Sequence, residues 1–321
     1  RFIPGRYPMP ASSFLYRNDS KPGSIAFTDV TSSAAPELLQ VGMVTDALWT
    51  DINNDNQPDL LLSTEWGPLI VFQNQKGALK KVATGLEQQT GWWNSLAAGD
   101  FDNDGDIDFV AGNAGRNLFM QASEKTPVSI YGHDFDNNTS FDAVMSCYLL
   151  DSLEGKVREF PVAGRDEFIK EMTAMKERYP NYRSYARTDV SQLFPAGVLE
   201  QATALKATQF NSCFIENKGG FKMELHPLPL AAQMAPVYGM GITDVNADGN
   251  LDLLLNGNEF GMAPYLGRCD ALNGLLLLGD GQGKFQPLPL QQSGWYIPGN
   301  GKSLANIMVG DEPYWIAGQN L

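Results

Sequence analysis

Four nine-residue stretches of this chain space their oxygen-bearing side chains identically, as D-x-[DN]-x-[DN]-x-x-x-D, starting at Asp51, Asp100, Asp134 and Asp244. Calcium is a hard cation that takes about 6–8 oxygens at roughly 2.3–2.6 Å. A nine-residue loop can wrap it if the side chains at positions 1, 3, 5 and 9 and the carbonyl at position 7 point inward. The predicted ligand sets are Asp51, Asn53, Asp55, Gln57 and Asp59; then Asp100, Asp102, Asp104, Asp106 and Asp108. The third and fourth are Asp134, Asp136, Asn138, Ser140 and Asp142, and Asp244, Asn246, Asp248, Asn250 and Asp252. Position 6 requires a sharp turn. Gly105 and Gly249 make it without a side-chain clash, and Asn56 tolerates left-handed geometry. Thr139 suits that position least, and Asn138 replaces a carboxylate, so the third loop is expected to be the weakest.

An EF-hand would need a bidentate Glu at position 12 and a helix on each side. Position 12 is instead Leu62, Ala111, Met145 and Leu255. Each loop runs into a short apolar stretch, such as Leu60-Leu61-Leu62 or Leu253-Leu254-Leu255, which reads as a buried strand. The loops therefore join strands. Solvated acidic turns without metal are the alternative, and four-fold recurrence weighs against it.

The formal charge is −14, and 14 of the 37 acidic residues lie in the four loops, so much of the acidity is local. No basic patch exists, which argues against nucleic acid as a partner. No apolar stretch approaches a membrane span. The chain begins at Arg1 without a secretory signal, which reads as a processed product or an excised fragment. Cys147, Cys213 and Cys269 leave both a Cys147–Cys213 disulfide and buried free thiols open. With only His133 and His226, a His-based triad or His-rich zinc site is disfavoured. Gly299-Asn-Gly-Lys-Ser303 resembles the end of a P-loop, but Tyr296 stands where that motif requires Gly.

Loop starts 49, 34 and 110 residues apart fit four-stranded propeller blades with an insertion in the long step. The expected fold is an all-β propeller of about five blades over residues 1–321, with a helical insertion at 155–208. In that insertion Phe168, Ile169, Met172 and Met175 share one helical face. Thr188 or Asp189 is expected to cap a second helix running towards Leu199. Residues 303–320 read as inner strands and 13–30 as outer strands of one blade that closes the ring, removing an open edge.

The words around the loops carry a resemblance. Gly42-Met-Val-Thr-Asp-Ala-Leu-Trp49, Gly91-Trp-Trp-Asn-Ser-Leu-Ala-Ala-Gly-Asp100, Ala235-Pro-Val-Tyr-Gly239 and Gly274-Leu-Leu-Leu-Leu-Gly-Asp-Gly-Gln-Gly-Lys-Phe285 are similar to bacterial FG-GAP/VCBS-repeat proteins. Those proteins are related in architecture to the integrin α-subunit propeller. The resemblance implies up to four structural calcium ions and a commonly seven-bladed propeller, of which this chain would match the C-terminal part. It also implies an extracellular, cell-surface or periplasmic location.

The strand ends away from the loops are the candidate ligand face. Strands leaving the loops end at Glu65 and Trp66, at Asn113 with Arg116, and at Asn258 and Glu259. Strands entering them begin near Trp92, Trp93 and Tyr238. Aromatic platforms with amides and carboxylates suit a glycan or protein ligand. Packing between blades is the plainer role for Trp92 and Trp93. Glu65 and Glu259 as acid and base would make a polysaccharide lyase or hydrolase. A third reading is a structural subunit that completes a propeller with another chain.

Overall fold

In the computed structural model, which describes residues 2–320, the four acidic loops are turns of β-hairpins that share one register. The residue before each loop pairs with the loop's last ligand position: Thr50 with Asp59, Gly99 with Asp108, His133 with Asp142 and Thr243 with Asp252. Side chains alternate faces along a strand. Fixing the ninth residue at the turn therefore fixes which face every following residue occupies. The chain is predominantly antiparallel β-sheet with few helices. It divides into two compact units: residues 12–118 with 210–321, and residues 1–11 with 119–209.

The larger unit holds one five-stranded and two four-stranded sheets. The first runs Met43–Thr50, Asp59–Gly67, Ile70–Gln75 and Ala78–Val82, and the short strand Gly91–Trp92 also pairs with Asp59–Gly67. The third runs Val237–Thr243, Asp252–Gly257, Leu275–Gly279 and Phe285–Leu288. The second is discontinuous in sequence. Ser95–Gly99 and Asp108–Gly112 are joined by Cys213–Asn217 and Met223–Pro227, which follow after the whole smaller unit. Ser95–Gly99 lies between Met43–Thr50 and Val237–Thr243, and Asn300–Val309 lies beside Val237–Thr243. Four-stranded meanders set side by side through their first strands are the arrangement of propeller blades.

The apolar runs after the loops are continuous because both faces of each second strand are covered. Leu61 points into a core with Val71, Trp93, Phe109, Ala111 and Ile215. Its neighbours Leu60 and Leu62 point the other way, against Ile70, Phe72 and Leu38. Fully burying each such side chain is worth about 1.5–3 kcal/mol.

In the smaller unit one sheet has the order Lys156–Pro161, Asp142–Asp151, Val128–His133, Thr203–Ala207. Four short helices, Arg165–Glu171, Met175–Arg178, Tyr182–Ala186 and Val190–Leu193, fill the connection between its two edge strands. Phe168, Met172 and Met175 are buried with Phe135 and Phe194, whose rings stack at 4.0 Å. The expected first helix is broken: it stops at Glu171 and resumes at Met175. Asp189 caps the last helix by accepting from the Gln192 amide, whereas Thr188 donates back to the Ser184 carbonyl. Helix Tyr182–Ala186 was not anticipated. Its signal was Asn181, which accepts from the Ser184 amide at 2.9 Å. Residues 155–208 are thus part of a unit that also contains the third acidic loop.

The chain ends differ from expectation. Tyr16–Asn18 with Phe27–Asp29, and Asn300–Val309 with Glu312–Asn320, are two separate two-stranded sheets among the described residues. Each early strand has only three residues, and its polar side chains bond locally: Arg17 with Asp19, Thr28 with Asp19, and Asp29 with Thr31. No helix of the described residues is long and apolar enough to cross a membrane. Cys147, Cys213 and Cys269 are free and buried, and burial pushes the Cys213 thiol up to about 12.

Candidate functional site

The acidic loops share most of their internal hydrogen bonds. The position-1 carboxylate accepts amides from positions 5 and 6, as Asp51 does from Asp55 (3.0 Å) and Asn56 (2.6 Å). Asp134 and Asp244 repeat this pair, and Asp100 accepts from Gly105 at 3.1 Å. The position-9 carboxylate accepts the position-2 amide: Ile52 to Asp59, Phe101 to Asp108, Phe135 to Asp142 and Val245 to Asp252, all at 2.9–3.2 Å. In the larger unit its other oxygen takes an amide at one end of the sheet's third strand, from Asn74, Asn217 or Gly279.

Two positions per loop are left-handed. Position 6 was expected; position 4 was not. Asn54, Asn103, Asn137 and Ala247 sit at position 4 with φ of 57–61°. Asn tolerates this conformation and Ala does not, at a cost of about 1–2 kcal/mol. Thr139 at position 6 of the third loop has φ 71°, which is strained for a β-branched residue.

The carboxylates converge. In the second loop Asp100, Asp102 and Asp108 each place an oxygen within 4.8 Å of the others, and Asp134, Asp136 and Asp142 do the same in the third. Two oxygens on opposite sides of one calcium would be about 4.6–5.2 Å apart. Asp100 Oδ1 and Asp136 Oδ1 are buried without a hydrogen-bond partner among the described residues. A buried, unpaired carboxylate oxygen is costly. A cation in the loop would offset that cost, so these residues fit a divalent ion. The third loop, expected to be weakest, has the same three-carboxylate convergence as the second. Its turn is strained, but its charges are in place. Burial pushes the Asp108 carboxyl up to about 7, against amide bonds from Asn217 and Phe101.

The loops of the larger unit are tied to one another. Asn54 at position 4 of the first loop donates to Asp106 Oδ1 at position 7 of the second (2.6 Å). Asn103 at position 4 of the second donates to Asn250 Oδ1 at position 7 of the fourth (3.0 Å). Position 7 was predicted only for its carbonyl; its side chain joins neighbouring loops. Fully buried Asn217 adds a second tie, donating through Nδ2 to the Ile52 carbonyl (2.9 Å) and the Ile107 carbonyl (3.1 Å).

Residues 51–111 match the FG-GAP-like repeat family. The chain therefore carries an FG-GAP-like repeat, reaching from the first loop into the second sheet and holding two of the four acidic loops. No curated protein matches the chain.

At the strand ends away from the acidic loops the structure divides the expected ligand face. Trp93 is fully buried in the core and donates Nε1 to the Gln89 carbonyl, so it has no face for a ligand. Trp66 is 3% exposed, at φ 60°, with its ring edge-on to Trp92 at 5.1 Å. Asn113 and Asn258 are also fully buried. Asn113 accepts the Trp92 and Ala114 amides, and Asn258 joins the Leu272 amide to the Gly299 carbonyl. These four are scaffold. The sequence showed their residue types but not their burial.

Trp92, Glu65, Tyr238 and Glu259 remain half-buried, and Arg116 is exposed. The Trp92 ring leans on Phe210 at 4.7 Å, and its Nε1 is buried without a partner among the described residues. Tyr238 donates its hydroxyl to Glu259 (3.0 Å), and Lys302 reaches the same oxygen at 2.7 Å while lying 3.7 Å above the Tyr238 ring. Burial, then Glu259, push the Tyr238 hydroxyl well above its ordinary range, and Glu65 adds to this. Burial pushes the Glu259 carboxyl up, but Lys302, the Gly261 amide and Tyr238 together hold it below the usual range. Lys302 and Phe210 were missed. Lys302 lay within the failed P-loop-like stretch, and its role depends on a strand placed beside Val237–Thr243.

Proposed function

We infer that the chain is a calcium-stabilised propeller-type binding module acting outside the cytosol, where calcium is abundant, with a glycan or protein as its ligand. The observation that carries the metal reading is the pair of buried, partnerless carboxylate oxygens, Asp100 Oδ1 and Asp136 Oδ1, inside converging acidic loops. Asp100, Asp102, Asp104 and Asp108, with the Asp106 carbonyl, would hold one ion. The other three loops would do so through the corresponding residues. The ion would supply the positive charge that the inward carboxylates lack and stiffen the hairpin turns.

The ligand would meet the opposite strand ends, at Trp92, Tyr238, Glu65, Glu259 and Lys302. The Trp92 indole would offer stacking, and the Glu259–Lys302 ion pair charged hydrogen bonds, to a polar ligand. The same ion pair weighs against acid–base catalysis. Lys302 keeps Glu259 ionised, so it lacks the proton a general acid needs at neutral pH.

Two measurements test this. Melting is recorded in calcium and in chelator, and the Trp92→Ala and Lys302→Met proteins are compared with the parent on glycan and protein arrays. A ligand that binds only the folded state adds about 2.7 kcal/mol per site at a hundredfold excess over Kd, so chelation should lower the melting temperature clearly. An unchanged melting curve in chelator removes the metal assignment. Array binding that survives both substitutions removes the ligand face.

A further inference from the structure

The smaller unit contains an open cleft of about 640 Å³. One wall is the tip of the hairpin formed by Asp142–Asp151 and Lys156–Pro161, with Leu149, Leu150, Leu153 and Phe160. The other wall is helix Tyr182–Ala186 and the residue after it, with Arg183 and Arg187. The volume is within the ordinary range for small-molecule sites, about 300–1,000 Å³.

The apolar wall is uncovered. Leu149, Leu150 and Leu153 are 41%, 67% and 75% exposed, and they cluster at this one place. A single exposed leucine needs no explanation, but a contiguous group bordering a cavity marks a binding surface.

The charges are selective as well. Three other arginines of this unit have hydrogen-bond or ion-pair partners, and Arg6 lies over the Phe141 ring. Arg158 pairs with Asp151 and Asp189, Arg165 with Asp166 and the Tyr179 carbonyl, and Arg178 with the Gln192 carbonyl. Among the described residues Arg183 and Arg187, the two that line the cleft, have no hydrogen-bond or ion-pair partner. They are four apart on a helical turn, so they project from one side. The acid in the lining, Asp151, is already neutralised: Arg158 lies 3.0 Å away, and the Leu153 and Glu154 amides donate to its other oxygen. The cleft therefore offers an apolar wall and a net positive rim.

We propose that this cleft binds an amphipathic anion, an aliphatic chain of about ten carbons with one carboxylate head. The chain would lie on Leu149, Leu150, Leu153 and Phe160, and the head would meet Arg183 and Arg187. Arginine's planar fork matches a carboxylate in two parallel hydrogen bonds. This assignment does not rest on the metal loops or on the ligand face of the larger unit.

The test is isothermal titration of the full chain with sub-micellar decanoate, beside decylamine and 1-decanol. Decanoate should bind with one site and at least tenfold more tightly than decylamine. Arg183→Ser with Arg187→Ser should weaken decanoate at least tenfold while changing decanol less than threefold. Ala186→Trp, which fills the cleft from its helical wall, should weaken both. Equal affinity for decanoate and decylamine overturns the proposal, as does decanoate binding that survives Ala186→Trp. Binding of an apolar hexapeptide with a free C-terminal carboxylate, with none of decanoate, also overturns it and reassigns the cleft to a protein partner.

Discussion

Asn217→Ala removes the side chain that ties the first acidic loop to the second. Asn217 is fully buried. Its Nδ2 donates to the Ile52 carbonyl at 2.9 Å and to the Ile107 carbonyl at 3.1 Å, and its Oδ1 accepts the Gly219 amide at 3.1 Å. Each such bond contributes about 0.5–1.5 kcal/mol net, and a buried acceptor left unpaired costs about 1–3 kcal/mol. Ile52 is itself 1% exposed, so water does not readily replace the lost donor there. Two lost donor bonds and one orphaned carbonyl give a destabilisation of about 3 kcal/mol. For a unit of roughly 200 residues that is a fall in melting temperature of about 6–12 °C. Asn217→Asp should be worse than Ala. It replaces the donor by an anionic oxygen facing two carbonyls, close to the buried Asp108 that already accepts the Asn217 amide at 2.9 Å. The assay is thermal and urea unfolding of the parent and both variants in calcium and in chelator. An Asn217→Ala protein melting within about 2 °C of the parent, or an Asp variant more stable than the Ala variant, would refute this role.

Ala247→Gly relieves the left-handed Ala at position 4 of the fourth loop (φ 60°). It should raise stability by up to about 1 kcal/mol, read from the urea midpoint. Asp100→Asn removes the negative charge of the partly unpartnered carboxylate in the second loop and leaves one neutral amide oxygen. It should weaken calcium binding there by at least tenfold, seen as the loss of one event in a calorimetric titration, with the other loops little changed. Lys302→Met should flatten the acid limb of the stability curve. In the parent, the depressed Glu259 carboxyl contributes stability that is present above the ordinary carboxylate range. That contribution is lost as the pH falls through its folded value. The variant should lack that contribution, while parent and variant converge at low pH in parallel melting scans.

The hairpin turns were legible from sequence because they are local. Nine residues contain both the inward ligands and the turn chemistry, and all four loops adopt one register. The core face of the helical segment was legible for the same reason, since Phe168, Met172 and Met175 obey a helical period. The break after Glu171 was not, because Thr173 and Ala174 carry no strong stop signal. Position 4 of the loops could have been read as a repeat: Asn occurs there three times out of four. Its partner could not, because Asp106 and Asn250 lie in neighbouring sheets.

Sequence alone determined that this chain makes acidic-loop hairpins with doubly buried second strands, because turn geometry and alternation act within a dozen residues. Tertiary structure decided which strand completes which sheet. Cys213–Asn217 pairs with Asp108–Gly112 across about a hundred intervening residues, a choice made by shape and burial with no local signal. It also decided which aromatic residues face solvent. Trp92 and Trp93 are adjacent and chemically identical, yet Trp93 is fully buried in the core, whereas Trp92 is half-buried with its ring against Trp66 and Phe210.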